Sequence, residues 1–313
     1  MILTSSYKSN QFLWLVFKLA LAFGCMFFIV ERLTQNNVIS FSQFLSNLSD
    51  FKLYSLKNGS ILLIFSFFNW FLEIYKWKLL ASKVHKISFK EATKQSLSSL
   101  SFSLLTPNRI GEYGAKAYFF AKSDWKKVMI VNGLGNGYQL LTTLLFGIVG
   151  FIFFQSELEQ FISNINYVFI FLFIIVLGII LFIPWIQKQF KKTKTYISYF
   201  SVYFHLKIST LSIIRYFIFS HQFYFILSLL APETQYIETI SAITLVYFIS
   251  SLIPMLSLFD VAVKGSVAIF VLSWLPIESS IVVTSVLAMW ILNFAFPSFL
   301  GSMHILRLQT KWN

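Results

Sequence analysis

Between Leu104 and Phe120 the chain reads LLTPNRIGEYGAKAYFF, and Arg109, Glu112 and Lys116 are the charged groups of this otherwise largely apolar run. Thr106 and Asn108 are residue types that cap helix N-termini, Pro107 breaks an incoming helix, and Gly111 and Gly114 allow close backbone approach. The segment therefore predicts a chain break followed by a helix start. Arg109 there offers a planar fork of donors, and the N-terminal dipole favours the same anionic ligand, a phosphate or a carboxylate. Glu112 and Lys116, four residues apart, fall on one helix face and can neutralise each other. The competing expectation is a structural ion cluster that ties this segment to its neighbours.

A second segment, SSLIPMLSLFDVAVKGSVAIF from Ser250 to Phe270, repeats the design. Pro254 breaks it, and Asp260 and Lys264 again stand one helical turn apart. If both breaks approach one cavity, Arg109, Lys116 and Lys264 outnumber Glu112 and Asp260. Such a cavity is net positive and suits an anionic or phosphate-bearing substrate.

Polar residues elsewhere in apolar stretches invite the same question, because ionisable groups inside a membrane are costly and usually functional. Glu73 could couple transport to a proton or reach the interface by snorkelling. His221 is a possible coupling group, with a hydrogen-bonded structural histidine as the alternative. Asn132, Asn136 and Gln139, interleaved with Gly133, Gly135 and Gly137, suit tight helix packing next to a polar pathway, a glycine pattern that internal packing and a homo-oligomer share. Lys18 and Arg215 are expected to snorkel. No GxSxG, HExxH, Walker A or dinucleotide-binding motif occurs, and the histidines His85, His205, His221 and His304 lack ligand spacing, so no metal and no cofactor is expected. The single cysteine, Cys25, offers no disulfide framework.

The elements that must position these groups are membrane helices. Of 313 residues, 57% are hydrophobic and 12% charged, against about 25% charged in soluble domains, and mean hydropathy is +0.73. The expected fold class is an all-α polytopic membrane protein forming one integral membrane domain over 1–313. Apolar runs over 12–30, 60–77, 128–154, 167–185, 211–230 and 281–306 predict six transmembrane helices, since about 20 residues cross a bilayer. The regions around 95–121 and 240–275 are apolar but broken by Pro107 and Pro254, so each half is too short to cross.

Net charge is +13, and its distribution sets the expected orientation. Lys76, Lys78, Lys83, Lys86, Lys90 and Lys94 follow the second run, Lys122, Lys126 and Lys127 precede the third, and Lys188, Lys191, Lys192 and Lys194 follow the fourth. The opposite loops carry Glu157, Glu159, Glu233, Glu238 and Glu278. With Lys8, Arg307 and Lys311 at the ends, both termini are expected in the cytoplasm, and the positive excess is expected to meet anionic inner-leaflet lipids and not nucleic acid. This topology closes only if the broken regions are re-entrant helical hairpins. Halves over 10–155, with a hairpin entering from the cytoplasm, and 166–306, with one entering from outside, would then form an inverted repeat. At a constant offset of 148, Glu73 matches His221, Glu112 matches Asp260 and Lys116 matches Lys264. Inverted repeats with broken helices recur in alternating-access transporters.

On Thr106, Pro107, Arg109, Gly111 and Glu112, the first segment resembles the TPGRxGE-type signature of a bacterial membrane family. That family is named for the transmembrane region of lysylphosphatidylglycerol synthase, the flippase part of multiple-peptide-resistance proteins. FDVAVKGSVAIF resembles the family's second signature, with Asp260 and Ala262 near glycine positions, Lys264 for an arginine and Gly265 for a glutamate. The resemblance spans about residues 10 to 310 and implies a lipid-translocating protein of the bacterial cytoplasmic membrane, standing alone without a synthase domain. Alternatives are an integral-membrane transferase acting on a lipid phosphate and an accessory subunit of a lipid-modifying enzyme.

Overall fold

The computed structural model describes residue 46 and residues 55–104, 106, 110–163, 200–253 and 260–306. The expected spans over 12–30 and 167–185, together with Lys18, Cys25, Pro107, Asn108, Arg109 and Pro254, lie outside the described residues. Among the described residues every regular element is helical. In chain order these are α1 (Leu56–Ala81), α2 (Phe89–Ser103), α3 (Ile110–Tyr118), a 3-10 turn (Lys122–Asp124), α4 (Trp125–Phe153) and α5 (Gln155–Ser163). There follow α6 (Val202–Leu230), α7 (Tyr236–Leu252), α8 (Asp260–Leu272), α9 (Ser279–Trp290), a π-helical turn (Ile291–Ala295) and α10 (Phe296–Leu306).

Local chemistry explains the starts. Ser55 and Ser201 accept hydrogen bonds from the backbone N–H of Asn58 and Phe204 at 3.2 and 3.3 Å, capping α1 and α6. At α2 the Ser88 hydroxyl accepts from the Glu91 N–H at 3.2 Å while the Glu91 carboxylate accepts from the Ser88 N–H at 2.7 Å, a complete capping box. Those donors at Ser88 hold the Glu91 carboxyl below its ordinary range.

Three stretches are long and apolar enough to cross a membrane: Lys122–Phe153, Val202–Leu230 and Ser279–Ile305. They contain the expected span over 211–230 and nearly all of those over 128–154 and 281–306. The run over 60–77 also forms a helix, and α1 with 26 residues is about 39 Å long at 1.5 Å per residue. It falls short on apolarity because Asn69, Glu73 and Lys76 interrupt it. Leu63, Ile64, Phe67 and Phe68 of α1 are nonetheless exposed, as are Leu141, Leu145, Val149 and Ile152 of α4. Apolar surface of this extent on several helices calls for a lipid solvent. Each Pro-broken region is two helices folded on one another, α2 against α3 and α7 against α8.

The packing repeats itself between halves. α1 corresponds to α6, α2 to α7, α3 to α8, and α4 to the bent unit of α9, the π turn and α10. Under this exchange α2 on α10 becomes α7 on α4, α3 on α4 becomes α8 on α9, and α1 on α6 becomes itself; every one of these pairs is in contact. The crossings match in detail. A Cβ on Gly150 would strike the Ser241 carbonyl and the Leu245 N–H of α7, and a Cβ on Gly301 would strike the Leu97 carbonyl of α2. Leu97 and Leu245 are themselves 148 residues apart. Both hairpins are thus gripped, backbone against backbone, by a glycine on a long helix from the other half.

Candidate functional site: a buried charged seam between the halves

The α1 residues Leu62, Ser66, Asn69, Glu73 and Lys76 recur at intervals of three and four, so they form one stripe along the helix. From Leu62 to Lys76 that stripe runs about 20 Å at 1.5 Å per residue. Ser66, Asn69 and Lys76 are buried. The apolar exterior of α1 faces away, and the stripe faces α4, α6 and the π turn.

At one end Lys116 of α3 is 2% exposed. Its ammonium donates to the Glu112 carboxylate at 2.7 Å and to Asn132 Oδ1 of α4 at 2.8 Å, and lies 4.3 Å from the centre of a Trp77 ring. The Trp77 indole donates to Gln95 Oε1 of α2 at 2.8 Å, joining both hairpin helices to the seam. Asn132 Nδ2 is buried with no hydrogen-bond partner among the described residues.

One turn further, the Lys76 ammonium stands 2.9 Å from Glu73 Oε2, and the same oxygen is 2.9 Å from Nη1 of Arg215. Arg215 of α6 also donates from Nε to Asn69 Oδ1 at 2.9 Å and from Nη1 to Gln139 Oε1 of α4 at 3.3 Å. Asn69 donates to Asn293 Oδ1 at 2.7 Å, Asn293 donates to Gln222 Oε1 at 2.8 Å, and Gln222 donates to Ser66 Oγ at 2.8 Å and to the Leu62 carbonyl at 3.1 Å. The chain of contacts crosses repeatedly between the halves.

Asn293 reaches this position because of a helix defect. Pro297 has no N–H, so the Asn293 carbonyl four residues earlier has no α-helical donor. The helix widens into the π turn, and that carbonyl accepts instead from the Trp70 indole of α1 at 3.1 Å. Proline and π turns are recognised causes of kinks.

Lys76 and Arg215 flank Glu73, and Lys116 pairs with Glu112. Among the described residues, the seam therefore sets three cations against the carboxylates of Glu73 and Glu112. An excess of one positive charge in a desolvated place attracts an anion strongly.

The expected site residues divide. Glu112, Lys116 and Glu73 come together. Thr106 acts as expected for a helix start, its hydroxyl accepting from the Gly111 N–H at 2.8 Å. Asp260 begins α8 and Lys264 is half-buried on it; Asn108 and Arg109 lie outside the described residues. His221 sits apart from the charged groups, its ring nitrogens 2.8 Å from the Phe217 carbonyl and 2.9 Å from the Tyr236 hydroxyl.

Two expectations are corrected. Arg215 does not snorkel: the helix begins at Val202, not near Leu211, so Arg215 lies more than three turns inside it and bonds inward. Lys76 is not a loop charge, because α1 continues to Ala81 and buries it. Asn132 and Gln139 hold charged partners in place of serving packing alone, and Asn136 donates to the Tyr113 hydroxyl at 3.3 Å. The spacing of Asn69, Glu73 and Lys76 was the sequence signal for the seam; Gln222 and Asn293 gave none. Among the described residues no three His, Cys, Asp or Glu side chains gather as metal ligands. Comparison with models of protein families, with curated proteins and with solved structures found no match.

Proposed function

We propose that this protein is a membrane transporter that carries an anionic or phosphate-bearing lipid across the bilayer in the manner of a flippase. The observation that carries this is the buried seam between the halves, with Lys76, Lys116 and Arg215 in excess of Glu73 and Glu112. A lipid phosphate cannot cross hydrocarbon alone because desolvating its charge is too costly. A seam of fixed cations and amides replaces its water, while the acyl chains stay in the bilayer beside the apolar faces of α1 and α4.

In this scheme the six-span topology stands, both termini are cytoplasmic, and the hairpins α2–α3 and α7–α8 enter the bacterial cytoplasmic membrane from opposite sides as an inverted repeat. Thr106 and Lys264 then meet the headgroup at its two entrances, and the sequence adds Asn108, Arg109 and Asp260 as candidate partners beside them. Rocking of the halves about the α1–α6 contact gives alternating access. The kinship is with the transmembrane region of lysylphosphatidylglycerol synthase, on the residues of the two hairpin segments. The basic cytoplasmic loops hold that face against anionic inner-leaflet lipids.

The test is a proteoliposome assay with fluorescent phosphatidylglycerol in both leaflets and a membrane-impermeant quencher outside. Wild-type protein should expose the inner-leaflet pool, and Lys116→Gln should slow this at least about tenfold, as expected for losing a charge-assisted contact. Quenching no faster than in protein-free vesicles overturns the transporter reading.

A further inference from the structure

Of the seam's cations, Lys76 and Lys116 are sealed, with side chains 2% exposed, whereas the Arg215 side chain is 18% exposed. Its guanidinium is also incompletely used. Nε donates to Asn69 and Nη1 to Gln139, and Nη1 also stands 2.9 Å from Glu73 Oε2 as an ion pair, but Nη2 has no hydrogen-bond partner among the described residues. Asn69 and Gln139 both come from the first half and fix the plane of the guanidinium, while Arg215 comes from the second. A rigidly aimed, half-satisfied fork is suited to two oxygens of one tetrahedral anion.

We propose that Arg215 is the residue that receives and selects the substrate, that the ligand is a phosphodiester monoanion, and that Glu73 holds its place until it arrives. Glu73 Oε2 sits 2.9 Å from both Lys76 and Arg215, the position in which an incoming phosphate oxygen gains the same two cations. The ligand and the carboxylate therefore compete for Arg215. A single negative charge matches the seam's excess of one positive charge, whereas a neutral headgroup leaves it unmatched. Because Glu73 and Arg215 belong to different halves, ligand capture replaces an ion pair between halves by contacts to the cargo. This rests on the transporter reading for its context and deepens it by naming the ligand class and the selecting residue.

The experiment measures binding to the purified full-length protein in detergent by native mass spectrometry, with tryptophan fluorescence in parallel, since Trp70 and Trp77 border the seam. The probes are short-chain phosphatidylglycerol, glycerophosphoglycerol, inorganic phosphate and short-chain diacylglycerol. Wild type should bind phosphatidylglycerol and not diacylglycerol. Arg215→Lys, which keeps the charge and loses the fork, should weaken phosphatidylglycerol binding about tenfold, the scale of one bidentate contact. Glu73→Gln should tighten it severalfold by removing the competitor. Opposite signs from two neighbouring substitutions are the signature; both weakening binding, or neither changing it, overturns the proposal. If thermal unfolding shows that Arg215→Lys has lost its fold, Gln139→Leu replaces it, with a severalfold weakening expected and unchanged affinity overturning the assignment. Equal binding of glycerophosphoglycerol leaves Arg215's role standing and makes the cargo water-soluble, whereas equal binding of inorganic phosphate overturns the phosphodiester assignment. Vesicle transport separates the two claims: no lipid movement by wild type sinks the flippase alone, and undiminished movement by Arg215→Lys sinks the Arg215 assignment alone.

Discussion

At an offset of 148 the polar residues of α1 fall on residues of α6 that are chemically unalike. Glu73 is held between Lys76 and Arg215, whereas its counterpart His221 bonds to the Phe217 carbonyl and the Tyr236 hydroxyl. Lys76 is buried in an ion pair, whereas its counterpart Tyr224 packs edge-on against the Tyr236 ring at 4.9 Å. Lys116 is buried, whereas Lys264 is half-buried. The same helical frame thus forms around ionic groups in one half and aromatic groups in the other. The frame does not require the charges at Glu73 and Lys76. Burying them carries a desolvation cost that aromatic side chains avoid.

Four measurements would break or sharpen this contrast. The largest effect is expected at Lys116: Lys116→Met strands the buried Glu112 carboxylate and should cost about 3–5 kcal/mol, the penalty for removing one partner of a buried pair. The matching Lys264→Met should cost clearly less, since that side chain keeps part of its solvent. Thermal unfolding in detergent reads both, and equal losses would remove the asymmetry between the halves.

The shared frame should behave symmetrically. Gly150→Ala and Gly301→Ala each push a methyl group into opposing backbone and should cost about 1–3 kcal/mol, the usual range for overpacking. Gly137, whose Cβ would meet nothing within 4 Å, should gain up to about 1 kcal/mol on Gly137→Ala through helix propensity. A tolerated alanine at either crossing would mean that the helices are not held backbone to backbone there.

A third contrast lies in pairwise coupling. A double-mutant cycle on Glu73→Gln and Arg215→Gln should give an interaction energy near the upper end of about 0.5–3 kcal/mol. The corresponding His221→Phe and Tyr236→Phe cycle should stay near 1 kcal/mol, roughly the value of one ordinary hydrogen bond. Equal coupling would make Glu73 no more committed to its partners than His221.

The smallest effect is a pH response at the hairpin entrances. The Ser88 donors lower the folded-state value of Glu91, so its contribution is complete above the unfolded carboxylate value of about 4.3. It is lost as pH falls through the lower folded value. At the equivalent helix α7, the preceding Gln235 makes no side-chain cap, so no such contribution arises there. Glu91→Gln should therefore flatten the acid limb of the unfolding curve slightly, and an unchanged limb would show that the capping box contributes nothing.

Much of the frame was legible in the sequence. Apolar run length gave α4 and α6, and Pro107 and Pro254 lie at the breaks between α2 and α3 and between α7 and α8. Leu97 and Leu245, which are 148 residues apart, each lie under a glycine of another helix. Of the site, the i,i+4 pair Glu112 and Lys116 was legible because both partners sit on one short helix. Arg215 was misread because an apolar window starts at Leu211, which made a mid-helix arginine resemble a terminal one. Lys76 was misread because nearby lysines made it look like part of a basic loop.

The sequence by itself determined helix as the only regular structure available to these apolar runs, where the two hairpins break, and which residues carry charge, because each of these follows from composition and spacing within a few turns. Only the tertiary structure decided that Glu73 meets Arg215, that Asn69 meets Asn293, and that a proline-freed carbonyl meets Trp70. Those partners are more than a hundred residues apart, and no local preference specifies which buried donor will satisfy which buried acceptor until the helices pack.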